Sequence, residues 1–136
     1  MTKLSWCCTV ALVVACLGLT SERRLLAADV HVAQATDTVV RVFAAMQRGD
    51  VQTLQQYLSP ELYEQYRILF EQNTEYPAFL SKYYQGAKLR IMKIAKVGDR
   101  TQVQAAIDFP TGTTRESKIL LKRNNAQLQI LIFSEE

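Results

Sequence analysis

The chain has 136 residues, 49% of them hydrophobic and 21% charged, with a formal net charge of +3. That composition is globular, the length suits one domain, and the charge is too small to announce a nucleic-acid-binding protein. From Asp29 onward there are 13 basic and 12 acidic residues, so most of the positive excess lies in the first 28 positions.

Those first residues read as a targeting segment. Lys3 supplies a positive start, and Leu4 to Leu19 carries no charge over 16 residues. This is the length of a signal-peptide core and shorter than the roughly 20 residues of a membrane-spanning helix. Removal near Ala27-Ala28 would divide the chain into a signal segment, 1–28, and a single domain, 29–136. "VVAC", Val13 to Cys16, resembles the lipobox of bacterial lipoproteins, which makes Cys16 the lipidation candidate. Three fates therefore compete: secretion after cleavage, a lipid tether through Cys16, or an uncleaved membrane anchor. All of them put the domain outside the cytoplasm, periplasmic or secreted. Cys7, Cys8 and Cys16 are the only cysteines. The domain thus has no disulfide, thiol nucleophile or zinc–cysteine site.

Residues 32 to 86 read as helical. Val32, Val39, Val40, Phe43 and Met46 recur at helical spacing. Gly49 follows as a helix-ending glycine, and Asp50 stands where the next helix needs an N-cap, ahead of Val51, Leu54, Tyr57 and Leu58. The tripeptide Arg48-Gly49-Asp50 thus reads as stop, turn and start, not as an adhesion signal. Ser59-Pro60-Glu61 opens a third helix carrying Leu62, Tyr66, Leu69 and Phe70. "QNTEYP" breaks it, and Pro77 opens a fourth with Phe79, Leu80, Tyr83 and Tyr84, closed by Gly86.

From Lys88 the period becomes two. "KLRIMKIAKV", "TQVQAAIDF", "RESKILLKR" and "AQLQILIF" read as four strands joined at Gly98-Asp99, "PTGT" and Asn124-Asn125. Val103, Ala105, Ile107 and Phe109 alternate with Gln102, Gln104, Ala106 and Asp108. In the last two strands, Ile119 and Leu121 oppose Leu120, while Ile130 and Ile132 oppose Leu131 and Phe133. Apolar residues on both faces predict a homodimer through the sheet. The expected class is α+β, with N-terminal helices packed on a curved four-stranded antiparallel meander.

The stretch "VVRVFAAMQRGDVQTLQQYLSPEL" resembles the opening of the nuclear transport factor 2-like superfamily: a long helix, a Gly-Asp junction, a short helix and a Leu-Ser-Pro-Glu step at Leu58 to Glu61. The resemblance runs from about Val32 to Phe133. It implies a cone-shaped α+β fold, most like that of small secreted or lipid-anchored bacterial members of unassigned role. Enzymes of this architecture use an acid or histidine deep in the cone. The only histidine, His31, falls just before the first helix and reads as solvated. Asp108 sits on the polar strand face. No metal cluster, P-loop or nucleophile motif appears.

The expectation is therefore a non-enzymatic extracytoplasmic module that binds a small apolar ligand or a protein partner, without cofactor, metal or nucleic acid. Its pocket would be lined by Phe43, Met46, Tyr66, Leu69, Phe70, Val103, Ala105 and Ile107. The competing reading is an isomerase- or dehydratase-type enzyme with a carboxylate in the cone, for which Asp108 and Tyr66 are the weak candidates. Two features stay open. Six tyrosines between Tyr57 and Tyr84 either line the pocket or pack helices on the sheet. The basic run Lys88, Arg90, Lys93, Lys96 and Arg100 is either a solvated edge or a surface for anionic lipid or cell-wall polymer.

Overall fold

The structure, a computed structural model, describes residues 7–135, with side chains from residue 27 onward. It divides into two units, Met1–Ala33 and Gln34–Glu136. The element order is α1 Cys7–Arg48, α2 Val51–Tyr57, α3 Pro60–Glu71, α4 Tyr76–Tyr83, β1 Lys88–Val97, β2 Arg100–Asp108, β3 Thr114–Asn124 and β4 Gln127–Glu135. Among the described residues no helix is long and apolar enough to cross a membrane. The side chain of Cys16 and the start of the apolar run lie outside the described residues. His31, expected ahead of the first helix, lies within α1 and is partly buried.

Within α1 the sequence signals act as read, with one phase correction. Val39, Val42, Phe43 and Met46 of α1 are buried, while Val32 and Val40 are exposed. Consecutive helical residues lie about 100° apart, so Val39 and Val40 cannot both face one core. The α1–α2 junction is tightly built. Gly49 adopts φ +64, and the Asp50 side chain caps α2 by accepting from the Thr53 amide at 3.1 Å. A Cβ on Gly49 would lie 2.1 Å from the Pro77 carbonyl oxygen. The backbone of Gly49 therefore packs against the first turn of α4, while Arg48 is exposed. Asp50→Ala should cost about 1 kcal/mol by removing the cap, and Asp50→Glu should leave cell adhesion unchanged. A loss of adhesion at unchanged thermal stability would contradict this account.

Ser59 caps α3 by accepting from the Leu62 amide, and its own amide donates to the Ile130 carbonyl at 2.8 Å. This fixes the α2–α3 corner on β4. Gln47 donates to the carbonyls of Tyr84 and Ala87, tying α1 to the end of α4.

The sheet is an antiparallel meander in the order β1-β2-β3-β4. Thr101, Val103, Ala105 and Ile107 of β2, Ile119 and Leu121 of β3, and Leu128 and Ile130 of β4 are buried on the helix side. Both edge strands are bulged, at Met92 in β1 and at Leu131 in β4. A bulge bends its strand and increases local twist, which curves the sheet around the helices. Each also shifts the phase by one residue. Past Met92, Lys93 pairs with Gln104 and so joins Lys88 and Arg90 on the outer face. Past Leu131, Ile132 pairs with Leu120 while Phe133 pairs with the buried Ile119. The predicted grouping of Ile130 with Ile132 and of Leu131 with Phe133 is thus corrected. Ile130 and Phe133 face the core, and Ile132 faces out.

Candidate ligand-binding cavity

Four helices arched over a curved sheet leave space that their side chains do not fill. A cavity of about 340 Å³ lies between α1 (Val42, Met46), α2 and its corner (Leu54, Leu58), α3 (Leu62, Tyr66, Phe70), α4 and its end (Tyr76, Leu80, Tyr84) and β4 (Ile130, Phe133, Glu135). That volume falls at the small end of ligand pockets, and its apolar and aromatic walls with few polar groups are typical of them.

Of the expected lining residues, Met46, Tyr66 and Phe70 are present. Phe43, Ala105 and Ile107 border instead a separate gap of about 10 Å³ beside Ser117, and Val103 is packed in the core. Leu69, half-buried, borders neither space. The sheet's contribution comes from β4, not β2: Ala105 and Ile107 of β2 meet Val39, Val42 and Phe43 of α1 around the smaller gap, while the bulge at Leu131 bends the edge strand β4. Three of the six tyrosines, Tyr66, Tyr76 and Tyr84, line the cavity. Two of the others, Tyr63 and Tyr83, belong to an aromatic series: Tyr63, Phe70, Tyr76, Phe79 and Tyr83 follow one another at 5.8–6.2 Å between ring centres. Phe79 is 57% exposed within this series.

One polar pairing enters the lining. The buried Tyr84 hydroxyl donates to Glu135 Oε1 at 2.7 Å, and Arg115 lies 3.6 Å from Glu135 Oε2. Burial first, then the bond to Glu135, pushes the Tyr84 phenol well above its ordinary value, so it stays a neutral donor across the physiological range. Sequence reasoning missed this carboxylate. Glu135 sits next to the last position, where strand phase is hard to read, and the Leu131 bulge sets the face it presents.

Asp108 is in the other place that matters, the outer face. Arg90 Nε donates to it at 2.5 Å and Thr114 Oγ1 at 2.7 Å. These bonds, that from Arg90 foremost, lower its pKa to about 2. It is ionised at any physiological pH, is not in the cavity, and cannot serve as a general base there. Because its folded pKa is depressed, its stabilising contribution is present above its ordinary value of 3.8 and fades as pH falls towards about 2. The gap in thermal midpoint between the wild type and Asp108→Asn should accordingly narrow from pH 6 to pH 2. A constant gap would show that the charge is not what Arg90 and Thr114 recognise. Among the described residues no group of His, Cys, Asp and Glu is placed to hold a metal ion.

No protein-family model matches the sequence, and no curated protein matches it. By structure, the chain is similar to an NTF2-like protein of unknown function from Silicibacter pomeroyi DSS-3, at 14% identity over 80% of this chain and 97% of that one, with TM-score 0.58. It is also similar to an NTF2-like protein of unknown function from Shewanella baltica OS155, at 11% identity over 78% and 94% of the two chains, with TM-score 0.54. A de novo designed protein with a curved β-sheet matches at 17% identity over 75% and 98%, with TM-score 0.51. At such identities the likeness is one of fold. A fold that can be designed from scratch does not carry a function by itself.

Proposed function

From the NTF2-like fold as premise, we propose that this chain is an extracytoplasmic binding module. Its cavity takes a small, largely apolar molecule bearing one hydrogen-bond donor, and does not turn it over. The observation that carries this reading is the 340 Å³ cavity, walled by aliphatic and aromatic side chains with a single carboxylate among them. A ligand burying about 200 Å² of apolar surface gains around 5 kcal/mol before entropic costs, at about 25 cal/mol per Å². Its donor would reach Glu135, whose partners among the described residues are Tyr84 and Arg115. Glu135→Gln keeps the shape and an acceptor but removes the charge. It should weaken a donor-bearing ligand about tenfold, the usual worth of one charge-assisted bond, and leave a purely apolar probe unchanged. Titration calorimetry with both ligand types reads this directly. Equal loss for both would contradict it.

The second reading, an isomerase- or dehydratase-type enzyme, gains one observation: a carboxylate does line the cavity, as Glu135 in place of Asp108. Against it, the described lining residues offer no second carboxylate and no histidine to share a proton transfer with Glu135. Turnover that Glu135→Gln abolished with the fold intact would favour the enzyme.

The location rests on the N-terminal pattern. The charge-free run from Leu4 to Leu19 would be costly to leave exposed in water. The mature protein is expected to lack its first 15 to 28 residues, by lipidation at Cys16 or cleavage near Ala28. Intact mass of the protein from envelope fractions checks this, and a full-length cytoplasmic species would refute it.

A further inference from the structure

The charge of this chain is segregated. Residues 88–136 hold nine basic and five acidic residues, while residues 29–87 hold four basic and seven acidic. The sheet half is therefore positive and the helical half negative, although the domain is close to neutral.

The register shows where the positive charge goes. Reading across the outer face, Lys88 pairs with Asp108, Arg90 with Ala106 and then Glu116, Lys93 with Gln104 and then Lys118, and Arg100 with Lys122. Six cations, Lys88, Arg90, Lys93, Arg100, Lys118 and Lys122, thus share one exposed face. Among the described residues, Asp99, Asp108 and Glu116 lie beside them. The bulge at Met92 is what brings Lys93 onto this face, where strict alternation would have turned it inward. Arg100 and Lys122 stand directly opposite each other, an arrangement that costs stability in a sheet and that Asp99, 3.6 Å from Lys122, only partly relieves. Among the cations lie three exposed apolar side chains: Met92 and Val97 of β1 and Ile132 of β4, each more than half exposed.

We propose that this outer sheet face docks on an anionic lipid bilayer. The cations match the phosphate headgroups, and Met92, Val97 and Ile132 enter the interfacial layer between them. Basic side chains near an anionic leaflet each add attraction, and interspersed apolar groups add a contribution that a dissolved polyanion does not reward. A second copy of the chain fits less well. A face-to-face pair would bring together two faces that each carry an excess of cations, and only Leu120 and Ile132 remain on that face of the apolar strand residues that favoured a dimer.

The test uses the full chain and its double variant Lys93→Glu/Lys118→Glu. Both carry the same N-terminal segment, so its contribution cancels in the comparison. Partition is measured on neutral phosphatidylcholine vesicles and on vesicles with about 30% phosphatidylglycerol, at low and high salt. The wild type should bind the anionic vesicles at least tenfold more strongly than the neutral ones, and the variant should lose most of that increment. The increment should also vanish in high salt, because it is screened. Equal increments for the two proteins would overturn the proposal. So would a variant defect equally large for soluble polyphosphate, which would make the partner a dissolved polyanion. A dimer in sedimentation that Ile132→Lys dissolves would assign the face to a second copy instead. Circular dichroism and melting of the double variant confirm that any loss is not unfolding.

Discussion

Gly49→Ala is expected to lower the thermal midpoint by roughly 15 °C, the equivalent of about 3 kcal/mol in a domain of this size. Two costs add. The first is conformational: at φ +64 an L side chain meets its own backbone, worth about 1–2 kcal/mol. The second is a collision. The new Cβ would lie 2.1 Å from the Pro77 carbonyl oxygen, which is backbone at the start of α4 and cannot rotate away. Relieving it requires α4 to shift, and such overpacking costs about 1–3 kcal/mol. Gly98→Ala separates the two costs. Gly98 has the same φ of +64 but nothing within 4 Å of a Cβ, so it should show only the first. Similar losses for both variants would mean that the α1–α2 junction does not press on α4. The cavity would then have a looser frame than described, since Leu80 and Tyr84 reach it from α4.

The second large effect is on binding. Leu62 is 5% exposed, is held at the start of α3 by the Ser59 cap, and faces the cavity. Leu62→Trp has empty volume to grow into, so it should cost little stability, less than about 1.5 kcal/mol. The indole would occupy much of the 340 Å³ and should weaken any cavity ligand at least a hundredfold, about 2.7 kcal/mol. A melting curve beside a binding isotherm reads both quantities. Retained affinity would show that the ligand sits elsewhere on the protein.

Much of this frame was legible in the chain because turns and caps are local. Gly49, Ser59-Pro60 and Gly98-Asp99 each break or start an element through their own backbone preferences where expected, and the last turn falls one residue later than read, at Asn125-Ala126. The bulges at Met92 and Leu131 were not legible. One extra residue in a strand leaves no mark in the hydrophobic pattern, yet it exchanges the faces of everything after it. That is why Lys93 joins the outer face, why Phe133 turns inward, and why Glu135 reaches the cavity. The site was half legible for a related reason. The stripes of α1 and α3 pointed to Met46, Tyr66 and Phe70. Which strand closes the cavity depends on sheet curvature, and no local signal reports it.

The claim that the cavity binds and does not transform a small molecule is met most directly by native mass spectrometry. Wild type, Leu62→Trp and Glu135→Gln would be purified side by side from the protein's own host. The account predicts a small-molecule adduct on the wild type, unchanged in mass after prolonged incubation, reduced on Glu135→Gln and absent from Leu62→Trp. An adduct equally present on Leu62→Trp would contradict the cavity as its site. A wild-type adduct converted to a new mass, with conversion lost in Glu135→Gln, would contradict the binding module in favour of the enzyme.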